Sequence, residues 1–133
     1  MQVSPYLFFY GRTEEAMNFY KSALGGELEI SRNGDSPMGG DVSDGWKSKV
    51  MHATLKGDGF DIMATDGREG SDQEKESNIA LAIGLSDEAK ARDIFDKLSA
   101  GGNVTMPLEK QFWGALFGQF TDKYGIDWMI NCG

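Results

Sequence analysis

The strongest constraint on this chain is a pattern that it carries twice. Gly59-Phe60-Asp61-Ile62-Met63 matches Gly125-Ile126-Asp127-Trp128-Met129: glycine, apolar, aspartate, apolar, methionine. Each copy follows a turn after an apolar stretch, and each comes last in its unit. Two glycine pairs, Gly25-Gly26 and Gly101-Gly102, close two amphipathic segments in the same relative place. Repeat architectures reveal themselves by such self-similarity, but two long copies are too few for a solenoid. The order of elements instead predicts an α+β fold: two β-α-β-β-β modules whose curved mixed sheets surround a cleft.

The elements follow from local pattern. Ser4 to Tyr10 is rich in aromatics and reads as a strand. Thr13 is the expected N-cap of a helix with Glu14 and Glu15 in its first turn, where carboxylates suit the helix dipole. Ala16, Phe19, Tyr20, Ala23 and Leu24 give its apolar stripe. Strands are expected at Glu27 to Ser31, Lys49 to Lys56 and Phe60 to Thr65, the last two forming a hairpin around Gly57-Asp58-Gly59. The order then restarts: a strand from Asn78 to Leu85, Ser86 as the second N-cap, and a helix with Ala91, Ile94, Phe95 and Leu98 as its stripe. Strands near Val104 to Leu108, Phe112 to Phe120 and Ile126 to Asn131 complete it. The chain thus reads as a single domain over 1–133, with module 1 at about 1–66, a polar linker at about 67–77 and module 2 at about 78–133. Arg32 to Lys47 is expected to be a long loop, with Gly39-Gly40 able to serve as a lid, and Asp66 to Ser77 a second, polar loop.

Period-two alternation assigns the strand faces. Met51, Ala53 and Leu55, with Ile79, Leu81 and Ile83 and with Ile126, Trp128 and Ile130, are expected beneath the helices. The opposite faces carry Val50, His52, Thr54, Asn78, Ala80, Ala82, Asp127, Met129 and Asn131, a mixture of small, polar and soft residues that suits a ligand cavity. His52 is the only imidazole in the chain, so any histidine-dependent acid–base step falls to it, and it is the candidate catalytic residue. Thr54, Asn78, Trp113, Asp127 and Met129 are the candidate ligand-binding residues. Trp113 is included because aromatics commonly line ligand clefts.

Charge and cysteine content narrow the function further. A net charge of −8 without a basic cluster argues against nucleic acid and anionic membranes. One cysteine, Cys132, cannot form an internal disulfide, no apolar run reaches membrane-spanning length, and no leader pattern is apparent, so a cytoplasmic protein is expected. One histidine, no Gly-x-Ser-x-Gly and a near-terminal cysteine give no nucleophilic triad.

Several of these residues carry a resemblance. Ser4-Pro5-Tyr6-Leu7, Glu15-Ala16, Tyr20, His52-Ala53, Asp61-Ile62-Met63 and Asp66 resemble the first half of PhnB-like proteins. Phe112-Trp113, Phe117-Gly118 and Asp122-Lys123-x-Gly125-x-x-Trp128-Met129-Ile130-Asn131 resemble the second. The resemblance spans nearly the whole chain. It implies the paired βαβββ fold of the vicinal oxygen chelate superfamily of glyoxalases, extradiol dioxygenases and bleomycin-resistance proteins, usually as a homodimer. It also implies metal-ligand places at Pro5, His52, Asn78 and Met129, of which only His52 is a strong ligand for a divalent transition metal. The resulting expectation is a homodimer that binds a small organic molecule with neither metal nor other cofactor. The alternative is a divalent-metal glyoxalase- or dioxygenase-type enzyme with ligands rebuilt from Asp61, Asp127 or Glu109.

Overall fold

A computed structural model describes residues 4–35, 43–67 and 79–133. The chain divides into two compact units, Met1–Glu74 and Lys75–Gly133. In the first, strand β1 (Tyr6–Phe8) leads to helix α1 (Thr13–Leu24) and strands β2 (Glu27–Arg32), β3 (Val50–Gly57) and β4 (Phe60–Thr65). The sheet order is β1-β4-β3-β2, with β1 parallel to β4 and the other pairs antiparallel. The second unit repeats the plan with β5 (Ala80–Leu85), α2 (Glu88–Ser99), β6 (Asn103–Lys110), β7 (Leu116–Thr121) and β8 (Asp127–Cys132), ordered β5-β8-β7-β6. Again the first and last strands pair parallel. These are the two βαβββ modules that the repeat predicts.

One face of each sheet is covered by its own helix. In module 1, α1 packs on β2, β3 and β4 and buries Ala16, Met17 and Tyr20 against Ala53, Leu55, Ile62 and Ala64. In module 2, α2 packs on β6, β7 and β8, where Phe95 meets Phe120 edge-on at 5.0 Å. Gly118 makes that approach possible, because a Cβ there would lie 2.8 Å from the Phe95 ring and 2.9 Å from the Leu108 Cα. Trp128 (3% exposed) and Ile130 (0%) lie in this core, as alternation predicts.

The turn between β1 and α1 is held from a distance. Asp66, just past β4 and 1% exposed, accepts the backbone N–H groups of Gly11 (2.9 Å) and Thr13 (2.8 Å) on Oδ1. Its Oδ2 accepts the Val50 N–H (2.7 Å), and its own N–H donates to the Val50 carbonyl (3.0 Å). One carboxylate thus joins the start of α1, the start of β3 and the end of β4. This corrects two expectations. Thr13 is the first helical residue and not the cap, since Arg12 is the N-cap and neither caps with its side chain. Asp66, expected in a polar loop, is a buried acceptor that satisfies the N–H groups a local cap would otherwise take. The Thr13 hydroxyl, fully buried, has no hydrogen-bond partner among the described residues. In module 2 the cap is Asp87, whose side chain accepts the Lys90 N–H (3.1 Å), and not Ser86. A second buried carboxylate, Asp122 (3% exposed), accepts the N–H groups of Tyr124 (2.8 Å) and Ile126 (3.1 Å) and the Trp128 indole (2.8 Å).

Other differences from expectation have equally local causes. Strand β1 is shorter than Ser4 to Tyr10, because Tyr10 takes a positive φ of 50° as the chain turns. Val50 and Met51 exchange faces: Val50 is 1% exposed and Met51 is half-buried. The register slips between Ser31 and Arg32, leaving Met51 as an unpaired bulge residue and returning Val50 to the helix side. Arg32, on that same side, donates to Glu14 of α1 at 2.9 Å, and this hydrogen bond raises the guanidinium pKa above its usual value. Residues Phe112 to Ala115 form a tight turn, not strand, with the Gly114 N–H donating to Gln111 and Gly114 at φ 94°. Among its described residues, the expected 32–47 loop contains two single-turn 3-10 helices, Asn33–Asp35 and Asp44–Trp46. Gly39-Gly40, the expected lid, lies outside the described residues.

Asp66→Asn is expected to lower unfolding stability by about 3 kcal/mol, since an amide presents a donor to one of three buried N–H groups that need an acceptor. Thr13→Val, which removes an unpaired hydroxyl of similar volume, is expected to change stability by less than about 1 kcal/mol. Urea unfolding of both variants checks the contrast, and equal losses would refute the clamp. Gly118→Ala is expected to cost about 1–3 kcal/mol by overpacking against Phe95 and Leu108, read in the same assay.

Candidate functional site

The open face of the module 1 sheet is set by register. Tyr6 lies beside Met63, Met63 beside Thr54, and Thr54 beside Glu29, so these side chains form a row across all four strands. His52 stands two residues from Thr54 on β3 and shares its face. Its Nδ1 lies 3.1 Å from the Tyr6 hydroxyl and its Nε2 lies 3.1 Å from Thr54 Oγ1. The Tyr6 ring therefore reaches across β4, and it meets the imidazole edge-on with centroids 5.6 Å apart. Phe8 extends the aromatic surface, 5.6 Å from Tyr6 and 6.1 Å from Tyr10. Tyr6 is 44% exposed and Phe8 48%, unusually open for large apolar rings on a regular strand. Asp61 shares the face, with one oxygen accepting from the Ser4 hydroxyl at 2.7 Å.

In module 2 the equivalent face carries Asp127 and Met129 on β8. Asp127 lies beside Thr121 and Ala80, Met129 beside Gln119 and Ala82, and Asn131 beside Phe117 and Gly84. The Thr121 hydroxyl donates to Asp127 at 2.6 Å, as Ser4 does to Asp61. Trp113 stands in the β6–β7 turn, 53% exposed, edge-on to Phe117 at 6.2 Å and to Phe112 at 4.9 Å. Glu109 is exposed on β6, paired with Phe117.

The candidate residues thus fall into two groups, one per module. His52 and Thr54 are in direct contact; Asp127 and Met129 share one face; Trp113 leans on Phe117 at a hairpin turn. Asn78 lies outside the described residues. Tyr6 and Phe8 were not singled out from sequence, although the alternation of Ser4, Tyr6, Phe8 and Tyr10 against Pro5, Leu7 and Phe9 is the signal that places them on one face.

The donor set does not fit the metal that the resemblance implies. Both ring nitrogens of His52 are taken by hydroxyls, and Asp61 and Asp127 each hold a hydroxyl hydrogen bond. Among the described residues no group of three His, Cys, Asp or Glu side chains is placed to hold a metal ion. A zinc-type site asks for about three such ligands. Adding Zn²⁺ or Mn²⁺ to chelator-treated protein is therefore expected to leave the melting temperature unchanged. A rise that His52→Ala abolishes would overturn this reading and restore the rebuilt-ligand alternative.

Comparison with known proteins agrees with the geometry. Residues 2–130 match the family model of the Glyoxalase/Bleomycin resistance protein/Dioxygenase superfamily. The chain is 32% identical to protein YjdN of Escherichia coli, over 98% of this chain and 95% of that protein. Its structure is similar to that of protein PA1353 from Pseudomonas aeruginosa, with a TM-score of 0.88 and 41% identity over 99% of this chain and 97% of that one. It is also similar to the PhnB protein from Bacillus cereus, with a TM-score of 0.80 and 28% identity over the full length of both. The repeated βαβββ module, the full-length family match and the likeness to a PhnB protein converge, and this chain belongs to the glyoxalase/bleomycin resistance/dioxygenase superfamily as a PhnB-like member.

Proposed function

We propose that this protein is a metal-independent homodimer that binds a small organic molecule with a planar, aromatic portion. The observation that carries the reading is the open face of the module 1 sheet. There, two half-exposed aromatic rings, Tyr6 and Phe8, flank a histidine whose two ring nitrogens are both held by hydroxyls. Ligand sites are commonly apolar and aromatic surfaces with a few fixed polar groups, and this face has that composition. Exposed rings offer stacking surface, and a planar ligand gains from covering them. His52, the polar contact that the sequence suggests, bonds to Tyr6 and Thr54 and so acts on the ligand through Tyr6. In module 2, taken by itself, Trp113, Asp127 and Met129 are the candidates for ligand contact, with Asn78 as a further one.

Homodimerisation is what the family resemblance implies, and the acidic charge of −8 suits a protein that stays soluble at that size. A single buried thiol, Cys132, is compatible with a reducing compartment, which supports the cytoplasm as the place of action.

Native mass spectrometry of protein purified without chelator tests the proposal, because it reads subunit number and bound mass together. The expected result is a dimer carrying a non-metal organic adduct. Adduct occupancy should fall in His52→Ala, whose lost hydrogen bonds are expected to weaken binding about fivefold. A monomer that carries nothing, and whose spectrum does not change on adding aromatic metabolite extracts, would sink the reading.

A further inference from the structure

The hydrogen bonds around His52 form a chain, and the chain says which atom meets the ligand. Tyr6 Oη, His52 Nδ1, His52 Nε2 and Thr54 Oγ1 are linked in series at 3.1 Å and 3.1 Å. A neutral imidazole donates from one nitrogen and accepts at the other, so the chain has two directions. In one, Thr54 donates to Nε2, Nδ1 donates to the Tyr6 oxygen, and the phenol O–H is left free to donate outward. In the other, the phenol donates to Nδ1, Nε2 donates to Thr54, and the Tyr6 oxygen is left able to accept. Both hydroxyls serve in either direction, so either tautomer of His52 is satisfied.

Two consequences follow. First, His52 has no ring nitrogen left for a ligand; its position behind Tyr6 makes it a positioning residue. Second, the polar atom presented at the exposed end of the chain is the Tyr6 oxygen, on a residue that is 44% exposed and flanked by Phe8 at 5.6 Å. A partner for that oxygen can match either direction, accepting in one and donating in the other. A hydroxyl on a planar ring does both, and the carbonyl of its keto form does the first. A ring with no oxygen covers the phenol and leaves it only its bond to His52, so the hydrogen bond it made outward to water is lost without replacement.

We infer that the ligand is a planar ring bearing a hydroxyl or carbonyl oxygen, such as a phenol, an enol or its keto form, which bonds to Tyr6 Oη, and that His52 and Thr54 hold Tyr6 in place for it. This rests on the ligand-binding reading above and names the ligand class of that same face. Tyr6 is the specificity-determining contact. Thr54 acts through His52, and the β-branched threonine, with its restricted χ1, keeps Oγ1 aimed at Nε2.

The test compares para-fluorophenol with fluorobenzene by fluorine NMR titration, two probes that differ by one hydroxyl. The wild-type protein is expected to bind para-fluorophenol about five- to tenfold more tightly than fluorobenzene, the effect of one net hydrogen bond. Tyr6→Phe keeps the ring and is expected to bring the two affinities together, leaving that of fluorobenzene unchanged. Thr54→Val is expected to shrink the preference and Thr54→Ser to restore it, a rescue that a merely structural role for Thr54 does not produce. If both probes bind the wild type equally, or Tyr6→Phe retains the preference, the inference is overturned while the binding reading stands. If neither probe binds, both fall together.

Discussion

A single buried carboxylate organises module 1, and the candidate site depends on it. Asp66 accepts three backbone N–H groups from two separate segments and returns its own N–H to one of them. A carboxylate in the interior is tolerable only when its oxygens are hydrogen-bonded, and here the donors are main-chain groups of the β1–α1 turn, the first turn of α1 and the start of β3. The consequence is geometric. The β1–α1 turn, the first residue of β3 and the end of β4 are locked to one atom group, and Tyr6 and His52 stand on β1 and β3 respectively. Their 3.1 Å contact across β4 requires that those strands keep their offset. Module 2 meets the same need at a different place, with Asp122 pinning the β7–β8 turn and the Trp128 indole. The two modules share a topology without sharing the interaction that stiffens it.

What the repeat conserves is the position of an aspartate beside a methionine, and what the structure adds is that each aspartate has a hydroxyl partner. Ser4 reaches Asp61 from before β1, whereas Thr121 reaches Asp127 from the neighbouring antiparallel strand. Different donors arriving at matching carboxylates give both residues a structural role within their own sheets. Ligand type, and not mere nearness, decides metal choice, so a carboxylate already tied to a hydroxyl and a histidine tied at both nitrogens make a poor beginning for a metal site. The same bonds make a good beginning for binding a neutral organic molecule, since polar groups satisfied within the protein lose less when water leaves the face.

Much of this was legible in the sequence, for a physical reason. Side-chain alternation and helix periodicity are local, so the strand and helix order, the Gly-Gly stops, the burial of Trp128 and the open-face position of His52 and Thr54 could be read directly. Two misreadings involve partners distant in the chain, and others a one-residue shift or a local turn. Thr13 looked like a cap because the residue that satisfies its N–H lies 53 positions away. Val50 was assigned to the open face because a bulge reverses alternation without any change in residue type. Phe112 and Trp113 looked like strand because aromatics favour strands, but Gly114 with its positive φ closes a turn there. Tyr6 was passed over because its meaning depends on His52, which is 46 residues away in sequence and two strands away in the sheet.

That last separation bears on how the site works. Two strand spacings amount to roughly 9–10 Å, a gap that the tyrosine and histidine side chains close only by reaching toward one another across the strand between. Tyr6 can contact His52 only by lying along the sheet with a ring edge toward the imidazole, which is the 62° arrangement seen. A ring so held has little rotamer freedom left to lose, and the cost of ordering flexible side chains is a large part of what opposes binding. The exposed surface of Tyr6 is therefore preorganised, and its order originates in the hydroxyl–imidazole–hydroxyl chain. Breaking that chain at Thr54 loosens His52, and with it the hold on Tyr6, so affinity at the ring should depend on a threonine placed two bonds further along the chain.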